Sequence, residues 1–232
     1  MVRFYMHYRN GRHNMLKLGE KGAIPQRDNE TYAIAPHIPC GVVSPALLRR
    51  IADVAEKYAA QAVKITGATR IAIVGLKEED IDSVWKELML DKGAAVGLCV
   101  RSIRTCPGNT YCKLGQQDAL GIGLKMDQIY HGMSLPGKFK MAVSGCPLSC
   151  AESWVRDVGL IGRKNGWAIV IGGNVGASPR IAHELIEGLD DETVTAAVGK
   201  VVEYYRENAK KGERLGKMIE RVGLDPFKDC VA

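Results

Sequence analysis

The sequence predicts an α+β fold in two parts, a small β-α-β unit over residues 31–92 and a larger α+β domain over residues 93–232, with residues 1–30 as an N-terminal arm. Three observations predict it. Strand-like and helix-like runs alternate as far as Leu90. The texture changes at Lys92-Gly93, beyond which short β-like runs lie among many glycines. From Ser178 onward the apolar spacing reads mostly as helix.

Each element has a local reason. Residues 1–30 are polar and irregular, as a loosely structured arm would be. Residues 31–43 read as extended, up to the breaker Cys40-Gly41. Ser44-Pro45 is a helix start, an N-cap followed by proline in the first turn. Leu47, Leu48, Ile51, Val54, Ala55 and Tyr58 then recur at helical spacing, predicting a helix over 46–62. Strand runs follow at 64–66 and 70–74, interrupted by Gly67 and closed by Gly75. Residues 78–90 read as a second amphipathic helix. The larger domain has β-like runs at 96–103, 139–143, 158–161 and 168–171, then expected helices at 180–189 and 191–211.

The 232 residues suffice for a real hydrophobic core without staples. A net charge of +6 suits a polyanionic ligand or an acidic partner. No dense Lys/Arg run interleaved with aromatics is present, so nucleic acid is not an expected partner. Residues 1–17 carry no apolar signal-peptide core, and no run reaches transmembrane length. The expected location is the cytoplasm, with no membrane partner. Seven cysteines in a reducing compartment point to metal or redox chemistry rather than disulfides.

Four of them form two pairs. Cys106 and Cys112 are spaced C-x5-C in TCPGNTYCKLG, and Cys146 and Cys150 are spaced C-x3-C in SGCPLSCAES. Each pair sits among prolines and glycines that shape irregular loops. Four thiolates suit a [4Fe–4S] cluster, one per iron. Structural zinc is the rival, although zinc sites usually space their cysteines two to four residues apart. Four unrelated buried thiols are the plainer alternative. Cys40, Cys99 and Cys230 stand outside the pattern and are expected to be buried structural residues. His7, His13, His37, His131 and His183 match no ligand spacing and are assigned no chemistry.

The sequence around these pairs resembles the sirohaem-dependent sulfite and nitrite reductases. The resemblance rests on VKITGATRIAIVG (63–75), VRSIRTCPGNTYCKLGQQDALG (100–121), LPGKFKMAVSGCPLSCAESWVRDVGLIG (135–162) and GWAIVIGGNVG (166–176), and covers roughly residues 31–225. It is similar to the small single-repeat sulfite reductases and to the sirohaem domain of NADH-type nitrite reductases. The fold it implies is a ferredoxin-like half-domain followed by a sirohaem- and cluster-binding domain.

The resemblance also implies roles. Cys106, Cys112, Cys146 and Cys150 would bind a [4Fe–4S] cluster, with Cys150 bridging to the sirohaem iron. Lys138 and Lys140 would face the substrate anion; if extended, the strand period puts both on one face with Phe139 on the other. A solvated edge strand is the competing account of these lysines. Arg101 would grip anion oxygens, and Arg70, two residues along from the family position at Ala68, would reach the substrate or a haem carboxylate. Arg104, Lys113, Gln116, Gln117 and Arg156 would meet the many sirohaem carboxylates, as would the backbone of the Gly172–Gly176 loop at Gly173 and Asn174.

The implied reaction is the six-electron reduction of sulfite to sulfide. Nitrite reduction to ammonia, a non-catalytic electron-transfer or sensor module, and a zinc-stabilised binding module are the alternatives. No dinucleotide or flavin motif is apparent, so electrons are expected from an external donor such as an acidic ferredoxin. Larger family members carry two copies of this module, one supplying cysteines and the other supplying cations. A single copy retaining both sets raises the expectation of a homodimer with sites shared between chains.

Overall fold

Ser44 does what its position predicts. In the computed structural model, which describes residues 15–231, its hydroxyl accepts the Leu47 N–H at 3.1 Å and caps α1 (Pro45–Lys57). The helix packs Ile51, Val54 and Ala55 against a four-stranded sheet. That sheet is antiparallel, in the order β1 (Ala23–Pro25), β2 (Tyr32–Ile34), β4 (Ile71–Leu76), β3 (Ala62–Ile65). A second helix, α2 (Ile81–Leu88), adds Val84, Trp85 and Leu88 to the same core. Its first expected turn is a 3-10 turn at Glu78–Asp80.

The expectation of a loose arm fails for residues 15–30. Leu16 and Ala23 are buried, the Leu16 N–H donates to the Tyr32 hydroxyl at 3.0 Å, and β1 pairs with β2. A three-residue strand is too short to show a period, so its partner decides it. The remainder of the expected arm, residues 1–14, lies outside the described residues.

The second sheet has the order β5 (Val100–Thr105), β6 (Phe139–Ser144), β7 (Val158–Arg163), β8 (Gly166–Ile171), β9 (His183–Leu189). The first three strands run parallel and the last three antiparallel. The strands β6, β7 and β8 are apolar almost throughout, as strands covered on both faces must be. A one-turn helix, α3 (Gly108–Tyr111), lies between Cys106 and Cys112, and a core of Phe139, Met141, Leu160, Trp167 and Ile169 packs against α4 (Ala119–Tyr130), α5 (Asp191–Asn208), α6 (Leu215–Val222) and α7 (Asp225–Val231). None of the helices among the described residues is long and apolar enough to cross a membrane.

Two local readings are overturned. Residues 183–189 form β9, not a helix: Leu185 and Leu189 suggest a helical stripe, but Ile186 pairs with Ile169 across the sheet and Gly188 takes φ +79°. Helix α4 is not among the expected elements, because Gly121 and Gly123 weaken its signal. Gly123 is required by packing, since a Cβ there would lie 1.9 Å from Thr105 Cγ2 on β5.

The two units meet at a polar seam. The Arg70 guanidinium, almost fully buried, donates to the carbonyls of Ala35 (3.0 Å) and Arg101 (2.8 Å) and to His131 Nε2 (3.1 Å). The His131 ring stacks on His37 with centroids 3.4 Å apart, and His37 Nε2 lies 2.7 Å from the buried Asp127 carboxylate. His37 and His131 thus form a pair that their sequence spacing hides. Gly93, at φ +63°, leaves room for this network, because a Cβ there would stand 2.7 Å from Arg70 Nη1. Arg70 is a seam residue in this structure: two carbonyls and an imidazole take three of its five N–H groups.

Since Arg70 can only donate, His131 Nε2 must accept, which requires the neutral ring. Burial, the neighbouring His37 and Arg70 lower its pKa to about 4, against the pull of Asp127 and Asp91. Between that value and the unfolded value of 6.5, only the unfolded chain takes the proton, so stability falls as pH drops through this window. Thermal unfolding should show a decline in melting temperature from pH 7 to pH 5 that is smaller in His131→Asn. Equal slopes in the two proteins would remove His131 from the account.

Candidate functional site

The two cysteine loops leave the same end of the second sheet. Cys106 directly follows β5, and Cys146 comes two residues after β6, the strand parallel to it. The loops are joined backbone to backbone. The N–H groups of Gln116 and Gln117 both donate to the Gly145 carbonyl, at 2.7 and 3.0 Å. A Cβ on Gly145 would stand 2.7 Å from the Gly108 Cα, and one on Gly115 would stand 2.4 Å from the Asn109 nitrogen. Only glycines allow this approach. It places the C-x5-C loop against the C-x3-C loop, and the Gly145 N–H donates to Cys106 Sγ at 3.1 Å.

The second thiol loop is fastened from beneath. Ser144 Oγ and Ser153 Oγ, both fully buried, lie 2.8 Å apart. The Ala151 N–H donates to the first hydroxyl, and the second donates to the Leu160 carbonyl. Ser149 and Glu152 take left-handed conformations that turn the chain sharply at Cys150. Cys112 and Cys150 are exposed, Cys106 is half-buried and Cys146 is buried.

Among the described residues, no group of three or more His, Cys, Asp or Glu side chains converges on one metal ion. Such convergence is what a zinc site needs. A four-iron cluster distributes its thiolates over separate irons. The loops fit that donor set.

The cations gather at the opposite end of the strands. Phe139 points into the core while Lys138 and Lys140 face outward, half-buried. Burial, with Arg101 and Arg214 close by, lowers the pKa of Lys138. Burial, Lys138, Arg156 and Arg214 lower that of Lys140 to about 8. One buried acid anchors the group. Asp157 accepts the Lys140 N–H at 2.8 Å through Oδ2 and two N–H groups of Arg214 through both oxygens. Burial pushes the Asp157 carboxyl up and Arg214 pulls it down. Three donors aimed at its oxygens require the carboxylate form.

Lys138 and Cys146 are separated by about 26 Å of extended chain at the usual strand rise. The segment 146–157 shortens that gap by doubling back, since the Asp157 N–H donates to the Lys140 carbonyl at 3.0 Å. Along this return, Glu152 pairs with Arg104 (2.7 Å) and with Arg156. Arg156 is buried, and its Nε has no hydrogen-bond partner. A buried donor left open beside exposed thiols is what an absent anionic ligand would satisfy.

The other expected site residues make contacts within the protein. The Gln117 amide donates to the Arg163 carbonyl at 2.7 Å, so the side chain is a clamp between loops. Gln116 contributes its backbone N–H to the same clamp, and Lys113 is exposed on the first thiol loop. Gly173 packs closely on the 154–156 turn, where a Cβ would lie 2.4 Å from the Trp154 carbonyl. Asn174 closes its own loop through Ser178 and Arg180. The Arg101 guanidinium folds back onto the Gly97 carbonyl at 2.9 and 3.0 Å. Cys40 and Cys99 are buried, as expected of structural thiols, and burial pushes Cys40 up to about 12; Cys230 is only half-buried. Asp157, Arg214 and Glu152 were not expected at this site. Nothing local marks them, because their partners lie far away in sequence.

Residues 96–232 match the nitrite and sulphite reductase 4Fe-4S domain, and residues 24–90 the nitrite/sulfite reductase ferredoxin-like half domain. An assimilatory-type sulfite reductase of Nitratidesulfovibrio vulgaris is 44% identical over 211 residues, covering 91% of this chain and 97% of that protein. A nitrite reductase [NAD(P)H] of Bacillus subtilis is 40% identical over 86% of this chain, which spans only 25% of that longer protein. In three dimensions the chain superposes on dissimilatory sulfite reductase I with a TM-score of 0.77 at 16% identity, over 87% of this chain and 69% of the other.

The glycine contacts between the thiol loops can be tested by adding one methyl group. Gly145→Ala should destabilise the protein by about 1–3 kcal/mol in denaturant unfolding, as overpacking against backbone does. Gly67→Ala, where nothing lies within 4 Å, is the control and should be near neutral. Equal stability of the two variants would mean that the loops are not locked together.

Proposed function

The chain belongs to the nitrite and sulphite reductase family, and from that premise we propose that it reduces sulfite to sulfide with electrons from a separate donor. The supporting observation is the match along nearly the whole length of an assimilatory-type sulfite reductase, combined with a cation cluster that suits a small oxyanion. Nitrite is the second reading, favoured by the 40% identity to a nitrite reductase over the same stretch.

We assign Cys106, Cys112, Cys146 and Cys150 to a [4Fe–4S] cluster, and Cys150 also to a sirohaem, which these loops would hold. When bound, the two groups would supply the electrons for reducing the anion. The chain supplies charge and protons. Reducing sulfite to sulfide takes up six electrons and six protons and releases three waters. Lys138 and Lys140 hold the oxyanion and the charge that grows on it, and Arg101 adds a further cation with a planar fork of donors. With a pKa near 8, Lys140 carries its proton at neutral pH and can release it from Nζ to a departing oxygen. An acidic ferredoxin-like donor suits the net charge of +6.

We place these cations and Cys150 of the same chain in one site, because the 146–157 segment returns to β6 at Lys140. The homodimer alternative draws the cations from a second copy. Mixing a Cys150→Ser chain with a Lys138→Ala/Lys140→Ala chain separates the two: recovered activity means shared sites, and no recovery after demonstrated exchange means that each chain builds its own.

Purified anaerobically, the protein should carry sirohaem and acid-labile sulfide and should reduce sulfite faster than nitrite with a reduced viologen. Stoichiometric zinc without iron would overturn the cofactor assignment, and a preference for nitrite would reverse the substrate. Lys138→Ala and Lys140→Ala should each lower turnover on the order of a hundredfold with both cofactors retained. For the wild type, the KM for the anion should rise as pH climbs through about 8, where Lys140 loses its charge. Lys140→Arg should flatten that rise, and an unchanged profile would exclude Lys140 as its source.

A further inference from the structure

Beyond Lys138 the surface sinks into a cavity of about 570 Å³, framed by the 174–178 loop, the turn at Gly212 and the start of α6. Four cations line it: Lys138, Arg180, Arg214 and Lys217, of which Arg214 is tied to Asp157 while Arg180 and Lys217 share the half-exposed Glu220, each keeping further N–H groups for a ligand. Its one acid, Glu213, is already engaged by Arg221 and by the Lys210 N–H. Gly176 and Gly212 line it too, with φ of +154° and +83° and nothing within 4 Å of an added Cβ. Backbone is therefore open to a ligand on two sides of a cationic pocket. The volume is far larger than sulfite or nitrite requires.

The cavity also continues a line of charge. Arg104 and Arg156 share Glu152 beside Cys150. The next residue, Asp157, holds the Lys140 backbone and Arg214, and Arg214 and Lys138 reach the cavity wall. The row thus runs from the bridging thiol to the pocket. It matches a large, flat polycarboxylate with acid groups spread around its rim, each met by a charge-assisted hydrogen bond.

Resting on the cofactor assignment above, we propose that this cavity takes rim carboxylates of the tetrapyrrole, with Arg180, Arg214 and Lys217 as carboxylate-binding residues. Arg214 is then a positioning residue as well, since Asp157 ties it to the strand that carries Lys140.

Retention of sirohaem by the holoenzyme tests this without reference to turnover. The sirohaem remaining per chain is followed by absorbance over time at low and at high salt, with cluster iron and sulfide as the internal control. Arg180→Gln/Lys217→Gln should lose sirohaem about tenfold faster than wild type or more, as loss of charge-assisted contacts predicts. The gap should narrow at high salt, while the cluster content stays the same. Lys217→Gln alone, on an exposed side chain whose loss cannot unfold the protein, should show a smaller loss in the same direction. Wild-type retention in both variants would overturn the pocket and leave the cofactor assignment standing. Wild-type protein that contains a cluster but no sirohaem would overturn both.

Discussion

The carboxylate of Asp157 is the point on which the site end of the larger domain depends. It is fully buried, and a buried carboxylate persists only if every oxygen is matched by donors. Arg214 from the start of α6 and the Lys140 N–H from β6 provide them. The backbone of Asp157 also binds the Lys140 carbonyl and the Gly172 N–H. One residue thus fixes the strand carrying the lysines, the glycine loop of the cavity, and a C-terminal helix. Removing Arg214 would leave the Asp157 carboxylate stranded in a dry setting, a loss usually worth about 3–5 kcal/mol.

The thiol end is built on the opposite principle. There the contacts are nearly all backbone, with glycines bringing two loops closer than side chains permit. The arrangement leaves Cys112 and Cys150 at the surface while their loops stay fixed by hydrogen bonds beneath them. A rigid frame with exposed sulfur suits an inorganic cluster, which brings its own geometry and tolerates little movement of its ligands. The flexible cations, by contrast, stand at the start of β6, an interior strand paired on both sides, where long side chains can adapt to a small anion.

The seam between the two units couples these ends to the first sheet. Arg70 binds the carbonyl of Arg101, at the beginning of β5, while α4 and the Cys40 turn pack behind the same strand. A disturbance of the first unit would therefore be felt at Arg101 before it reached the cysteines. The neutral His131 ring, held as an acceptor for Arg70, makes this seam acid-sensitive.

Residue order alone determined the elements with strong local chemistry: the capped helix after Ser44, the hairpin strands, the lysine pair around Phe139 and the four clustered cysteines. Their signals lie within a few residues, where capping, period and spacing act. Tertiary structure decided β9, α4 and the ordered residues 15–30, whose local signals are weak or misleading and whose partners lie elsewhere in the chain. It also decided which cations are available. Arg70, for one, gives three of its five N–H groups to the seam. Arg214 and Lys217, without any motif, are delivered to the cavity by a helix that begins 65 residues after Cys150. Charge can be counted in a sequence; where it stands, and how many of its N–H groups remain open, depends on partners brought from far along the chain.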